Sequence, residues 1–236
     1  MGSQGGYIGR IGNIIHYKMD GKLVTRSAPR KYKQTKATKA KSREFGMAST
    51  IGRVIRENLQ SVIFRTDDRK MQTRLVGEIY TWLQVARQQT ASVVTQPDFL
   101  SFKFSTGNPA LSARWLVALK VNKDAEGQIQ IAIPSFIPKL AFRPPKKASS
   151  VICRIASVVI DVEKKKDIGT AKNEISYTLD QKKVEAQKII QELPMPAGSL
   201  LITALCLEFC TTRGDQKIPT NDKLYKPSQI IYAVHH

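Results

Sequence analysis

Seven cations between positions 30 and 43 are the side chains whose type and spacing best suit a chemical task. They are Arg30, Lys31, Lys33, Lys36, Lys39, Lys41 and Arg43, and no acid interrupts them. Like charges at this density repel one another unless a partner neutralises them. The task they suit is ionic. A Lys or Arg that meets a phosphate releases a counterion, so binding falls steeply with salt. Nucleic acid is the commonest such polyanion, and an acidic protein surface is the other. Tyr32 adds one ring that can stack on a base. No zinc-finger spacing or RNP motif accompanies the run, so phosphate contact with little base reading is expected.

Other motifs carry less. Gly9-Arg-Ile-Gly12 has the glycines of a phosphate loop but lacks the Gly-Lys-Ser/Thr ending, and a hairpin rather than a helix follows. A glycine-tolerant turn is the better reading. His16, His235 and His236 have no Cys, His or carboxylate at metal-ligand spacing. Cys206-Leu-Glu208-Phe-Cys210 places two thiols and a carboxylate on one face of a strand, which reads as a partly buried sheet face. Arg213-Gly-Asp215 matches an adhesion tripeptide and reads as a turn. Lys164-Lys-Lys166 and Pro145-Lys-Lys147 read as solvated loops. No Gly-x-Ser-x-Gly elbow or other catalytic signature occurs, so the expectation is a non-enzyme with no cofactor and no metal.

Composition sets the frame. The chain has 236 residues, a net charge of +19 and 42% hydrophobic residues, enough for a sizeable core. The charge is uneven: residues 1–60 hold 13 Lys/Arg against 3 Asp/Glu. That is the pattern of a basic arm on a folded body. No run reaches the ~20 apolar residues of a membrane span. The N-terminus lacks a signal-peptide apolar core. Three cysteines fit a reducing compartment. A cytoplasmic protein with no membrane partner and no evident small-molecule substrate is expected.

The elements that would carry these residues follow from periodicity. Asn13–Lys18 and Lys22–Arg26 flank Asp20-Gly21, a hairpin signal. Thr35 or Thr38 caps a first helix whose stripe is Met47, Ala48, Ile51, Val54, Ile55, Leu59 and Val62. Thr66-Asp67-Asp68 opens a second, with Met71, Leu75, Ile79, Trp82 and Leu83 on one face. The short link at 64–66 pairs the two as an antiparallel hairpin. Seven strands are then expected, at 100–104, 115–121, 127–133, 151–162, 175–179, 200–210 and 229–234. Ser92–Asp98 is the expected joint.

The opening Gly9-Arg-Ile-Gly-Asn13, with Tyr17, Gly21-Lys22, Arg26, Pro29 and Gln34-Thr-Lys-Ala-Thr38, resembles the start of uncharacterised proteins from Bacteroidota. Ser42-Arg-Glu-Phe-Gly46, Met71-Gln-Thr-Arg74, Trp82 and Gly127–Pro134 extend the resemblance over nearly the whole chain. The group is a domain-of-unknown-function family. The resemblance implies a two-part architecture and a bacterial cytosolic origin, and it transfers no catalytic or ligand residue.

The expectation is therefore an α+β protein. Residues 1–34 form a glycine-rich leader, hairpin and basic arm; 35–90 a helical hairpin; 97–236 an antiparallel, immunoglobulin-like β-sandwich. Its function is to engage DNA or RNA through the seven cations. The alternative is a structural subunit whose arm and hairpin dock on neighbouring copies or another protein.

Overall fold

One long antiparallel ladder organises most of the chain. The structure, a computed structural model, describes residues 7–29, 33–63, 68, 70–88, 97, 99–123, 128–214 and 216–236. The chain divides inside its first helix into two units, Met1–Lys41 and Ser42–His236.

The first unit holds a three-stranded meander, β1 (Gly9–Ile11), β2 (Ile14–Met19) and β3 (Lys22–Ser27). Asp20 and Gly21 both adopt positive φ, 52° and 78°, as a two-residue hairpin turn that matches strand twist requires. Gly12, at φ 56°, makes the turn between β1 and β2. Helix α1 (Lys36–Asn58) begins after Thr35, whose Oγ1 accepts the Thr38 N–H at 3.1 Å. Of the two expected caps, Thr35 is the one used.

In the second unit α1 is followed by α2 (Met71–Gln88). Phe45 meets Tyr80 edge-on at 6.0 Å, while Gly52 faces Val76 and Ile79. Contacts that descend α2 as they ascend α1 make the pair antiparallel. A Cβ on Gly52 would lie 3.1 Å from Val76 Cγ2, so the missing side chain lets the helices approach closely. The expected Thr66-Asp67 cap and the 64–66 link lie outside the described residues. So does the joint at 92–98, apart from Pro97.

Eight further strands among the described residues form two antiparallel sheets, which makes the chain an α+β protein. They are β4 (Lys120–Lys123), β5 (Ile129–Ile133), β6 (Ser150–Asp161), β7 (Lys166–Thr178), β8 (Gln187–Gln191), β9 (Ser199–Arg213), β10 (Gln216–Pro219) and β11 (Ser228–His235). The small sheet runs β4-β5-β8. In the large one β7 pairs β6, β6 pairs β9, and β10 and β11 share the far side of β9. A turn of α-helix, α3 (Pro138–Ala141), leads towards β6.

Both faces of β6 and β9 are covered over most of their length, the even face being open around Ile152 and Arg154. Even-numbered Ala156, Val158 and Ile160, with Leu200, Ile202 and Cys206, join Ile51, Ile55, Leu75 and Ile79 of the helices. Odd-numbered Val151, Cys153 and Ile155, with Leu205, Leu207 and Phe209, join Ile129, Ile131 and Ile133 of the small sheet. Each fully buried Ile or Leu contributes about 1.5–3 kcal/mol. Trp115, Phe136, Phe142 and Tyr177 close the second core as an aromatic cluster.

Two expected strands change. Residues 100–104 form turns with one bridge, Lys103 to Gln229, because Ser101 takes φ 71°; Phe102 and Phe104 plug the helical core instead. The 115–121 run enters a ladder only at Lys120, and Trp115 makes an isolated bridge to Phe142.

The start of α2 is pinned by charge. Asp68 Oδ2 accepts from Arg74 Nη2 at 2.5 Å and from the Thr106 N–H at 3.0 Å, and Oδ1 accepts the Lys70 N–H. Arg74 also donates to the Lys103 carbonyl and lies over the Phe102 ring. Burial pushes the Asp68 carboxyl up, but Thr106 and Arg74 together hold it below the usual value. Asp68→Asn should destabilise the fold by roughly 1.5–3 kcal/mol in urea titration. A lowered pKa in the folded state means the carboxylate contributes fully above pH ~4 and loses its contribution as pH falls further. That portion of the acid sensitivity should vanish in the variant.

Gly169, paired with Val159 and next to the extra residue Ile168 that shifts the register of β7, packs under Pro194; a Cβ there would sit 2.7 Å from Pro194 Cδ. Gly169→Ala should cost about 1–3 kcal/mol, read as a lower urea midpoint.

Candidate nucleic-acid interface

Arg30 and Lys31 lie outside the described residues, as does Tyr32. Lys33, Lys36, Lys39, Lys41 and Arg43 are all exposed. None of these five forms an ion pair among the described residues. Lys36, Lys39 and Arg43 recur at helical spacing along α1, so they share a stripe; Lys41 leaves it by more than a quarter turn. From Lys36 to Arg43 the stripe spans about 10 Å of helix axis.

The local electrostatics are unfavourable to the protein alone. The first turn of α1 contains no acid, and its free N–H groups carry the positive end of the helix dipole. Lys36 and Lys39 add like charge to that end, each at a penalty of about 0.3–1 kcal/mol. Thr35 and Thr38, joined through their hydroxyls at 2.8 Å, relieve part of the unmet hydrogen bonding without supplying charge.

The other nominated motifs take structural roles. Gly9-Arg-Ile-Gly12 is β1 and its turn, with Arg10 Nε donating to the Gly12 carbonyl at 2.9 Å. A Cβ on Gly9 would collide with the Tyr7 ring. His16 Nδ1 lies 2.9 Å from Thr25 Oγ1 across the meander. Cys206 is buried beneath the helices, and burial pushes its thiol up to about 12. Burial raises Cys153 and Cys210 as well, so the three thiols stay protonated near neutrality. Glu208, between the two cysteines, accepts from Arg154 Nη1 at 2.6 Å, and Glu174 accepts from Arg154 Nε at 2.8 Å. Arg154 thus ties β7 to β9 across β6. Its only sequence signal is a lone charge within the apolar run 151–160. Gly214 takes φ 60° where β9 turns into β10, as the turn reading of that tripeptide expects; Asp215 lies outside the described residues. Lys164 pairs with Asp161 in an exposed turn.

Among the described residues no group of three or more His, Cys, Asp or Glu side chains has metal-site geometry, and no helix is long and apolar enough to cross a membrane. No protein-family model matches the chain, and no curated protein matches it.

Reversing charge at the start of α1 separates folding from binding. Lys36→Glu with Lys39→Glu should steady the first turn by about 0.5–2 kcal/mol in total, read as slower amide exchange over residues 38–41. Unchanged or faster exchange would mean that the cations are compensated within the protein.

Proposed function

We propose that the chain is a non-enzymatic binding protein that engages the phosphate backbone of nucleic acid through Arg30, Lys31, Lys33, Lys36, Lys39, Lys41 and Arg43, with little sequence specificity. One observation carries the reading: five of these cations are exposed and, among the described residues, form no ion pair, where α1 begins without an acid in its first turn. A helix start of this kind favours anions through both its free N–H groups and its added charge. Phosphate contacts fix position without reading bases, which suits a stripe with no base-reading motif.

The sandwich is the body that carries this arm, and we read it as immunoglobulin-like. The reading is supported by the strand order, β4-β5-β8 facing β7-β6-β9-β11, in which the chain crosses between sheets after each of the first two hairpins. The family resemblance favours a bacterial cytoplasmic protein.

Binding of a labelled mixed-sequence duplex and of a single strand, across a salt series, tests the function. Affinity should fall with salt at a slope of about 0.9 per phosphate neutralised on the duplex. Lys36→Glu/Lys39→Glu/Arg43→Glu should lower the slope by about 3 and weaken binding alike on unrelated sequences. An unchanged affinity in that variant removes the arm as the site. Absence of binding at low salt overturns the reading altogether.

A further inference from the structure

The large sheet ends in an open strand. Its order is β10-β9-β6-β7, and β7, thirteen residues long, pairs among the described residues with β6 alone. Outside that ladder no backbone group of residues 166–177 has a backbone partner among the described residues. On one face of the edge Thr170, Lys172, Glu174, Ser176 and Thr178 are exposed; on the other Ala171, Asn173 and Ile175 are half-buried. Such an edge is a template for another strand. Natural edges are blunted by proline, by unanswered lysines or by bulges. β7 contains no proline, and its extra residue, Ile168, sits at the hairpin end and leaves Gly169–Thr178 in regular register. Its charges are two cations, Lys166 and Lys172, and two acids, Asp167 and Glu174, in a chain of net charge +19. The edge itself is neutral, so it adds nothing to the repulsion between copies.

The order of those charges is its own complement. A strand that pairs antiparallel with its own copy does so about a two-fold axis normal to the sheet, so facing residues share parity. Charge then chooses the register. An axis at Lys172 sets Lys172 against itself, and an axis at Glu174 sets Glu174 against itself; like charges directly opposite are destabilising. An axis at Asn173 sets Lys172 of each copy against Glu174 of the other, twice. It also pairs Thr170 with Ser176 on the exposed face and Ala171 with Ile175 on the other. The paired stretch is then 169–177, almost all of the regular segment, and axes further along leave more of it unpaired. Glu174 can take a second cation: its Oε2 accepts from Arg154 Nε at 2.8 Å while its side chain stays 58% exposed. Lys172 forms no ion pair among the described residues.

We infer that β7 pairs with β7 of a second copy about a two-fold axis at Asn173, joining two large sheets into one. The contact is isologous and closes at two copies. The occupant is a second copy because an unrelated strand would have to carry the same charges in the same order. No residue of the cationic arm takes part, so the dimer stands or falls apart from phosphate binding.

Sedimentation of the full chain over a concentration series should show monomer and dimer and nothing larger. Lys172→Glu and Glu174→Lys should each weaken the dimer at least tenfold, because each turns two attractive pairs into repulsive ones. Mixed in equal amounts, the two variants should recover a heterodimer, in which every facing pair is again opposite in charge. Glu174→Lys also removes a partner of Arg154, so a second measurement leaves both charges in place. Asn173→Cys puts a thiol at the axis, where facing Cα atoms lie ~4.5–5.5 Å apart, within disulfide reach. The native cysteines are buried. Under mild oxidation Asn173→Cys should link to its own copy, while Thr170→Cys, ~20 Å from its copy in this register, should not. A full chain that stays monomeric at all concentrations overturns the inference. So does a dimer that Lys172→Glu leaves intact, or one in which Asn173→Cys links no better than Thr170→Cys.

Discussion

The register of β6 on β9 is the constraint on which the second unit depends. From Ser150 against Cys210 to Asp161 against Ser199, twelve residue pairs run without a shift on this side of β9. Side chains alternate with period two, so this register sends Ala156, Val158 and Ile160 with Leu200, Ile202 and Ala204 to the helices, and Val151, Cys153, Ile155 and Val159 with Leu201, Leu205 and Leu207 to the small sheet. A slip of one residue on either strand would exchange the two sets and empty both cores. Ser157 and Thr203 mark the register inside the odd face: paired across the strands, their hydroxyls meet at 2.9 Å, and Ser157 also bonds Gln191 of β8. This buried polar link joins the two sheets at one defined place.

The other elements follow from covering a sheet on both faces. The helical stripe that fills the even side needs small residues where backbones come close, and Gly52 provides one. The odd side is filled by aromatics from loops and short strands, which is why so much of 111–149 is irregular yet buried. Polar ties hold these irregular parts: Asp68 and Arg74 at the helices, Arg154 at the uncovered end of the large sheet.

The first unit is organised differently. Turn chemistry and cross-strand pairing define its meander, but its apolar residues have no interior to enter. It is also the most basic part of the chain.

Local chemistry alone determined the Asp20-Gly21 hairpin, the α1 cap, both helical stripes, and the strands at β5, β6, β9 and β11. Each rests on contacts within a few residues or on a strong apolar period, and so is legible one segment at a time. It also nominated the cationic run, because charge density needs no fold to be seen. Tertiary structure decided the rest. The strands β8 and β10, and the first half of β7, are polar at many positions because they lie at or near sheet edges, and they take strand form from the neighbour they pair with. Residues 100–104 alternate like a strand, yet Ser101 turns the backbone and sends their phenylalanines into the core. The sharing of one core by helices and sheet and the Asp68 and Arg154 ties join residues far apart in sequence. Periodicity carries no information about such distances; only the packed chain brings those groups together.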